Sequence, residues 1–332
     1  MTTLYLTEQG ATLRKESRRF LIEMGGITLS EIHEFKVDRV IVFGHVQLTT
    51  QALTYLLARG IDTAFLSMTG RLKGRLAPLA SKNVYLRVRQ HERARDPQFA
   101  LALARAIVGA KIANCIALLA RHQRNHPETD LSAEISRLAR CPDEAARKQA
   151  LGGLRGVEGQ AAVTYFQALA RMLRRGWNFP GRVRRPPTDP VNSLLSFGYT
   201  LLYNEAISAL TATGFDPYVG FYHGINYGRC SLALDLMEEF RHVAIDRLVL
   251  NLLNLGILAG DDFTADEQGG IYLREEARKR FLREYERLML AEFAQGRLGE
   301  RISLRRAVHE QALRLERTVM RGAAYEPFRG WR

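Results

Sequence analysis

The sequence contains little cysteine and lacks the signals of secreted, membrane-spanning or nucleotide-hydrolysing proteins. Its three cysteines, Cys115, Cys141 and Cys230, are scattered, and their spacing fits neither a zinc site nor a disulfide framework, so we expect reduced thiols. The N-terminus lacks the cationic and apolar segments of a secretory signal, and no uninterrupted apolar run predicts a membrane span. No glycine-rich loop precedes a Lys-Ser or Lys-Thr pair, so ATP hydrolysis has no support. These absences predict a soluble, cytoplasmic protein.

Acidic side chains are outnumbered by basic ones. The 332 residues include 48 Lys plus Arg against 35 Asp plus Glu, which gives a formal net charge of +13, and most of the cations are arginine. Guanidinium groups bind phosphate oxygens through paired hydrogen bonds, so this excess favours a nucleic-acid partner. The alternative is a solvated basic surface without a partner.

The secondary-structure signals change along the chain. Short strand patterns and one helix fill residues 1–80, a basic connector follows over 81–96, and helical periodicity dominates 97–332. One alternating strand offers three candidate core residues: Ile27, Leu29 and Ile32. This segregation predicts an α+β protein, with a small β-rich, β-sandwich-like N-terminal domain followed by a larger all-α C-terminal domain.

A segment rich in proline and glycine, residues 176–190, interrupts the helical region. Such residues are incompatible with a continuous helix. Arg182, Arg184 and Arg185 lie within it, beside two aromatic residues. We interpret the segment as a phosphate-binding element at the rim of a site, and an ordinary loop is the alternative.

Acidic residues are grouped in a predicted helix over 231–253. Asp235 and Glu238 are three positions apart, which places both on one helical face, and Ser231 is a plausible N-cap. Three further residues extend the polar side: Glu239, His242 and Asp246. Such a face indicates either a metal site or the solvated side of an amphipathic helix.

Two other stretches offer ligands of the same kind. His223 stands among glycines and aromatic residues, where the backbone can approach a site closely, although His242 on the acidic helix is a competitor. Glu158 lies between glycines at the start of a predicted helix, where the helix dipole alone would favour a glutamate. Together with Asp235 and Glu238 these residues form a mixed oxygen and nitrogen set, which suits manganese or magnesium.

Four motifs in order carry a family resemblance. They are Arg155–Phe166, Arg185–Tyr199, Gly220–His223 and Leu234–Arg241. In these motifs the chain resembles the CRISPR-associated protein 1 family, the integrases of spacer acquisition, and the resemblance covers most of the chain. It implies the same α+β organisation, with catalysis in the helical domain.

The resemblance implies a metal site made by Glu158, His223 and Glu238. Many family members carry Asp at the third position, where this chain has Glu238. Asp235 matches another acidic family position, which either binds the metal or orients a ligand. Four further residues match family motif positions and are expected to support the site or contact DNA: Tyr165, Asn192, Ser196 and Arg241.

The implied activity is metal-dependent DNA strand transfer. The 3′-hydroxyl of a short captured DNA attacks a phosphodiester of the CRISPR array, and water in its place gives endonuclease activity. The resemblance also implies a homodimer formed through the N-terminal domains, with CRISPR-associated protein 2 bridging two such dimers. Three alternatives remain at this point: a metal-dependent nuclease for branched DNA in repair, a non-catalytic DNA-binding scaffold, and a transposon-encoded relative with the same active site.

Overall fold

The computed structural model describes residues 2–77, 83–183, 185–295 and 300–330. The chain forms two compact units, Met1–Ala80 and Ser81–Arg332.

The N-terminal unit contains short strands and one helix. Its strands are β1 (Thr3–Leu6), β2 (Thr12–Glu16), β3 (Arg19–Met24), β4 (Ile27–His33), β5 (Arg39–Phe43), β6 (Gln47–Leu48), β7 (Asp62–Leu66) and β8 (Leu72–Leu76). One sheet has the order β1-β5-β7-β8, in which β8 alone is antiparallel to its neighbour, and the other has the order β4-β3-β2-β6. Helix α1 (Thr50–Ala58) begins at Thr49, whose side chain accepts a hydrogen bond from the Ala52 amide.

The two sheets and helix α1 share one hydrophobic core. Its buried members are Leu6, Leu13, Phe20, Val37, Val40, Val42, Ala52 and Leu56. Each large apolar side chain buried in this way contributes about 1.5–3 kcal/mol relative to exposure. The β-sandwich-like prediction for this part of the chain is therefore confirmed.

Two of the candidate core residues are exposed instead. Ile27 and Leu29 retain 68% and 45% of their accessible surface, whereas Ile32 packs against the core. Strand β4 lies at the edge of its sheet, and its register with β3 shifts at Ile22 and Glu23, so that Leu29 becomes an extra residue without an opposite partner. This bulge accounts for Leu29. Ile27 pairs with Met24, which is itself 43% exposed, at the end of the β3–β4 hairpin.

Helices dominate the second unit. They are α2 (Val84–Ala94), α3 (Pro97–Asn125), α4 (Ser132–Leu138), α5 (Cys141–Arg147), α6 (Leu151–Met172), α7 (Pro190–Thr213), α8 (Ser231–Met237), α9 (Arg247–Asn254), α10 (Glu275–Leu290) and α11 (Leu304–Arg321). Two short antiparallel hairpins are also present, β9 (Phe263–Ala265) with β10 (Ile271–Leu273) and β11 (Glu292–Gln295) with β12 (Glu300–Ser303). The α+β class is confirmed, although the helical part is not purely α.

The stretch interpreted as a basic connector contains helix α2. Asn83 accepts a hydrogen bond from the Leu86 amide and so begins the helix. Gln90 is buried and donates to the carbonyl oxygens of Asp216 and Val219, both at 2.8 Å. The many arginines of this stretch favoured the interpretation as a connector, because only two residues of the helix, Leu86 and Gln90, are buried.

Helices α3 and α7 form the centre of the helical unit. Asp96 and Asp189 cap their first turns, and each is followed by a proline at the first helical position. Helix α3 packs against α5 and α6, while α7 packs against α8 and α11. By length and composition α3 could cross a membrane, but 61% of its apolar window is buried within the unit, as in the core helix of a globular domain.

Candidate functional site

Side chains from three separate stretches meet beside the middle of helix α3. Glu158 comes from α6, His223 from the loop between α7 and α8, and Glu238 from the turn after α8. Lys111 of α3 forms ion pairs with Glu158 and Glu238, and its Nζ lies 2.7 Å from Glu238 Oε2. His223 Nε2 is 4.0 Å from Glu238 Oε1. The three residues predicted as metal ligands therefore lie together.

The acidic helix is interrupted at the site. The sequence predicted one helix over 231–253, but α8 ends at Met237, and a turn and a π-helical stretch, His242–Asp246, precede α9. A Cβ added to Gly198 of α7 would lie 2.6 Å from Ile245 Cγ2, so the glycine allows the π-helical stretch to approach closely. Irregular turns of this type are frequent at functional sites because they redirect side chains.

The alternative of a solvated acidic face is wrong. Asp235 and Glu238 retain only 1% and 4% of their accessible surface. Three further polar residues of this face are buried as well: Glu239, His242 and Asp246. Burial of ionised groups is unfavourable unless partners compensate it, so each of these side chains needs a structural or functional partner.

Asp235 organises the loop that carries His223. Its Oδ2 accepts hydrogen bonds from the amides of Phe221 (2.7 Å) and Tyr222 (3.0 Å), and its Oδ1 accepts from the His223 amide at 2.8 Å. The His223 ring also contacts Oδ1 through Nδ1 at 2.7 Å. Since a carboxylate only accepts, Nδ1 donates to Asp235, and Nε2, which faces Glu238, is the ring nitrogen left for a ligand.

The close path of this loop requires a glycine. A Cβ added to Gly220 would lie 2.7 Å from the His223 carbonyl oxygen and 2.8 Å from the Ser231 carbonyl carbon. Contacts this short to backbone atoms cannot be relieved by a side-chain rotation. The Gly220–His223 motif is thus explained by packing as well as by the imidazole.

Basic groups keep the buried Glu238 ionised. Burial opposes its ionisation, but the charges of Arg241, Lys111 and His223 lower the pKa of Glu238 to about 2. Arg241 Nη2 lies 3.0 Å from Glu238 Oε1. Burial would likewise lower the pKa of Lys111, and the charges of Glu238 and Glu158 raise it instead. The site therefore holds Glu238 together with the two cations Lys111 and Arg241 in their charged forms.

Asp246 joins several of the motif residues in a buried network. Its Oδ1 accepts a hydrogen bond from Tyr199 at 2.5 Å, and its Oδ2 accepts from Tyr165 at 2.7 Å. Arg241 lies over the Tyr199 ring, 4.7 Å from its centroid. Burial, followed by the Asp246 charge, raises the pKa of both tyrosines well above the ordinary value, so they remain hydrogen-bond donors.

His242, the competing histidine, belongs to this network rather than to the carboxylate cluster. Its Nδ1 lies 2.6 Å from Asp246 Oδ2, and its Nε2 lies 2.8 Å from Cys115 Sγ. Burial raises the pKa of the Cys115 thiol well above its ordinary value. Both ring nitrogens of His242 are thus engaged.

The three arginines of segment 176–190 have different positions. Arg182 donates through Nη1 to Asn192 Oδ1 at 2.8 Å and through Nη2 to Ser196 Oγ at 3.0 Å. Arg185 is exposed. Arg184 lies outside the described residues. Of these three arginines, only Arg182 is seen at the rim of the carboxylate cluster.

A small cavity adjoins the cluster. Its volume is about 50 Å³, and residues on its wall include Lys111, Cys115, Glu158, Tyr165, Arg182 and Arg241. Its wall therefore carries guanidinium groups next to a carboxylate. This distribution suits the phosphate of a substrate together with a cation.

The donor set around Lys111 has the chemistry of a divalent-cation site. Within the described ranges, no group of three or more His, Cys, Asp or Glu side chains is close enough to hold a metal ion as it stands. The Lys111 ammonium occupies the space between the carboxylates, with Nζ 2.7 Å from Glu238 Oε2. Two carboxylates and an imidazole nitrogen gathered around one positive charge are donors that fit manganese or magnesium.

Sequence reasoning did not single out Lys111 or the network around Asp246. A lone lysine between the buried residues Ala110 and Ile112 of a core helix was the available signal for Lys111. For Asp246 the signal was weaker, because its four-residue spacing from His242 is also typical of a solvated face.

The sequence was then compared with known proteins. The family described as "CRISPR associated protein Cas1" matches residues 4–287. "CRISPR-associated endonuclease Cas1 1" of Thermus thermophilus is 39% identical over 330 residues, covering 99% of this chain and 100% of its own. A "CRISPR-associated exonuclease Cas4/endonuclease Cas1 fusion" of Geobacter sulfurreducens is 40% identical over 95% of this chain, and the chain spans 57% of that relative's length.

Solved structures share the fold. A "Casposase bound to integration product" superposes with a TM-score of 0.88 at 22% identity, covering 99% of this chain and 94% of its own. A chain of a "Cas6-RT-Cas1--Cas2 complex" gives a TM-score of 0.83 at 26% identity, covering 100% of this chain and 36% of its own. The likeness therefore extends over the whole length of this chain.

Proposed function

The chain belongs to the CRISPR-associated Cas1 family, and we propose that it is a DNA endonuclease and integrase of CRISPR adaptation. It inserts short captured DNA into a CRISPR array through attack of a DNA 3′-hydroxyl on an array phosphodiester. The observation that carries this proposal is the meeting of Glu158, His223 and Glu238 beside a basic cavity. Its place of action is the cytoplasm.

Glu158, His223 Nε2 and Glu238 would hold a manganese or magnesium ion. When bound, the ion supplies Lewis-acid stabilisation of charge on the reacting phosphate. Asp235 fixes the His223 ring, and its two oxygens are already engaged by three amides and that ring. We therefore assign Asp235 the orienting role and not that of a direct ligand.

The remaining motif residues position charge around the reacting phosphate. Asn192 and Ser196 hold the Arg182 guanidinium at the cavity, where it can bind a phosphate oxygen. Arg241 faces Glu238 and is held against Tyr199. Tyr165 supports the same network through Asp246. Because these groups are placed before substrate binds, little rearrangement is needed as charge develops.

DNA binding outside the cavity would use the same basic segment. Exposed Arg185, together with Arg184, is proposed to contact phosphates of the DNA that approaches Arg182. A branched-DNA nuclease would use the same ligands with water as nucleophile, so the site itself supports both reactions. The distinguishing property is use of a DNA 3′-hydroxyl.

The proposed assembly is a homodimer built through the N-terminal units, with CRISPR-associated protein 2 bridging two dimers. The edge strand β4 exposes Ile27 and Leu29, and Phe35 just after it is 75% exposed. An unpaired edge with exposed apolar side chains favours association with another chain. The resemblance to a chain of a Cas1–Cas2 complex supports the second partner.

A joining assay tests the function. A short duplex with free 3′ ends is incubated with a plasmid that carries the CRISPR array, with manganese or magnesium, and with or without the small partner protein. We expect joined product that a chelator abolishes, and loss of product in Glu158→Ala, His223→Ala and Glu238→Ala. The control is Glu276→Ala, whose side chain is 79% exposed on α10.

The outcomes separate the alternatives. Cleavage of branched DNA without joining would favour the repair nuclease. Joining at the wild-type rate by one of the three variants would remove that residue from the ligand set.

A further inference from the structure

Lys111 stands where a cation between the two carboxylates would stand. Its ammonium group is paired with Glu158 Oε1 and lies 2.7 Å from Glu238 Oε2, and its side chain is only 12% exposed. Glu158 and Glu238 come from different elements of the chain. The lysine is therefore the group that joins them.

This arrangement offsets an otherwise unfavourable burial of charge. Transfer of one ion from water to a protein interior costs several kcal/mol, and two neighbouring carboxylates also repel each other. A lysine ammonium is a compact point charge on a flexible four-carbon stem, which allows it to bridge two carboxylates and also to move away. An arginine fork would be held more rigidly.

We propose that Lys111 is an internal counter-cation that competes with the divalent ion for Glu158 and Glu238 and has to withdraw before the ion is bound. The proposal rests on the function proposed above, since it takes these residues as ligands. A divalent ion lies about 2.0–2.2 Å from its carboxylate oxygens. An ammonium group within hydrogen-bonding distance of the same oxygens would repel it strongly.

The surroundings determine when withdrawal is favourable. The adjoining cavity of about 50 Å³ has room for the displaced ammonium, but Arg182 and Arg241 lie on its wall. Without an anion, those guanidinium groups oppose the entry of a further positive charge. A DNA phosphate in the cavity supplies that anion. Lys111 thereby makes binding of the ion and binding of a phosphate mutually favourable, a coupling that is reciprocal by thermodynamic necessity.

The first measurement is manganese affinity by calorimetry in the absence of DNA. Lys111→Met removes the competing charge and keeps an unbranched side chain, so we expect manganese to bind about tenfold or more tightly than in the wild type. Lys111→Gln is a second variant, should Met prevent folding, and circular dichroism checks both. Lys279→Met on the surface of α10 is the matched control, and it keeps the wild-type affinity.

The second measurement adds a short duplex with 3′-dideoxy ends, which cannot react. In the wild type we expect the duplex to increase manganese affinity by about tenfold, and in the Lys111 variants we expect this gain to be largely lost. Equal or weaker manganese binding by both variants would overturn the proposal while leaving the metal site intact. No manganese binding by any form would overturn both the metal site and the role of Lys111.

Discussion

Two buried clusters of charge in the described part of the helical unit differ in the cation that joins their carboxylates. In one, Arg305 of α11 donates to Glu205 of α7 and Glu286 of α10, with N–O distances from 2.7 to 3.3 Å, and every carboxylate oxygen accepts a hydrogen bond. In the other, the single ammonium group of Lys111 is shared between Glu158 and Glu238 beside a cavity.

The difference separates a structural cluster from a functional one. The Arg305 cluster joins three helices, and its planar guanidinium satisfies both carboxylates at once. The Lys111 cluster lies next to a cavity, and its cation is carried on the more flexible side chain. A buried ion cluster joined by a planar guanidinium fixes the fold, whereas one joined by a lysine beside a cavity indicates a binding site.

The largest expected effects differ in kind between the two clusters: a mutation in the Lys111 cluster reduces DNA joining, and a mutation in the Arg305 cluster reduces stability. We expect Glu158→Gln to reduce DNA joining by about a thousandfold, because it removes a carboxylate proposed to bind the metal ion. We expect Glu205→Gln to lower the free energy of unfolding by about 3–5 kcal/mol, because it leaves Arg305 partly unpaired in the interior. The measurements are joining rate per folded molecule and denaturant unfolding of both variants. Equal losses of joining in the two variants would erase the distinction between the clusters.

A smaller effect is expected where the functional cluster depends on an orienting group. Asp235→Asn keeps the size of the side chain but weakens the hold on the His223 ring. We expect manganese affinity or joining rate to fall by about 10–100-fold, the usual effect of losing a carboxylate behind a ligating histidine. Manganese titration of the joining reaction is the measurement, with exposed Asp143→Asn as control. An unchanged titration would mean that the loop places His223 without this carboxylate.

A third prediction concerns Glu239, the buried neighbour of Glu238. Burial raises the pKa of Glu239 to about 8 from an ordinary 4.5, although hydrogen bonds from Tyr325 and Phe328 act in the opposite direction. Its contribution to stability is therefore complete below pH 4.5 and is lost as pH rises to 8, by up to about 1.4 kcal/mol per pH unit.

Glu239→Gln cannot titrate, so we expect this pH dependence to be absent from its unfolding curves between pH 5 and 8. Exposed Glu276→Gln should keep the wild-type slope. A Glu239→Gln slope equal to that of the wild type would show that the carboxyl ionises in the folded protein as easily as in the unfolded chain.

The smallest expected effect extends the comparison to DNA. Arg182→Gln and Arg185→Gln each remove one proposed phosphate contact, so each should reduce the slope of log affinity against log salt by about one. Arg287→Gln on α10, where the side chain is 74% exposed, is the control for a surface arginine. Unchanged slopes in both variants would place the segment away from the DNA.

The regular strands and the proximity of the motif residues could be predicted better than the β-bulge and the π-helical stretch. The strands of the N-terminal unit follow the alternation of apolar residues, and the motif residues Glu158, His223 and Glu238 meet in space as expected. Leu29 is exposed because it is the extra residue of a bulge, and sequence alternation does not reveal a bulge. Ile27 is exposed because it pairs with the exposed Met24 at the end of the β3–β4 hairpin, which the alternation does not reveal either.

Within the site, the errors of the prediction from sequence have a different cause. A continuous helix over 231–253 was expected because helical spacing persists through the π-helical stretch His242–Asp246. Lys111 was missed, and Asp246 was named only as part of a polar helical face, because their importance depends on residues far away in sequence, Glu158 and Tyr165 among them. Local periodicity contains no information about such distant partners.

The residues after helix α11 also contact the site. Tyr325 donates to Glu239 Oε1 at 2.6 Å, and Asn114 Nδ2 donates to the carbonyl oxygens of Glu239 (2.7 Å) and Phe328 (3.2 Å). Phe328 stacks on Phe240, with ring centroids 4.4 Å apart. These contacts support α3 near Lys111 and the turn that carries Glu238.

The segment that contains Tyr325 and Phe328 is therefore part of the support of the Glu238 turn, although it contributes no proposed ligand. Tyr325 reaches Glu239 across 86 positions of sequence, so a substitution near residue 325 can change the geometry of a centre to which it seems unrelated.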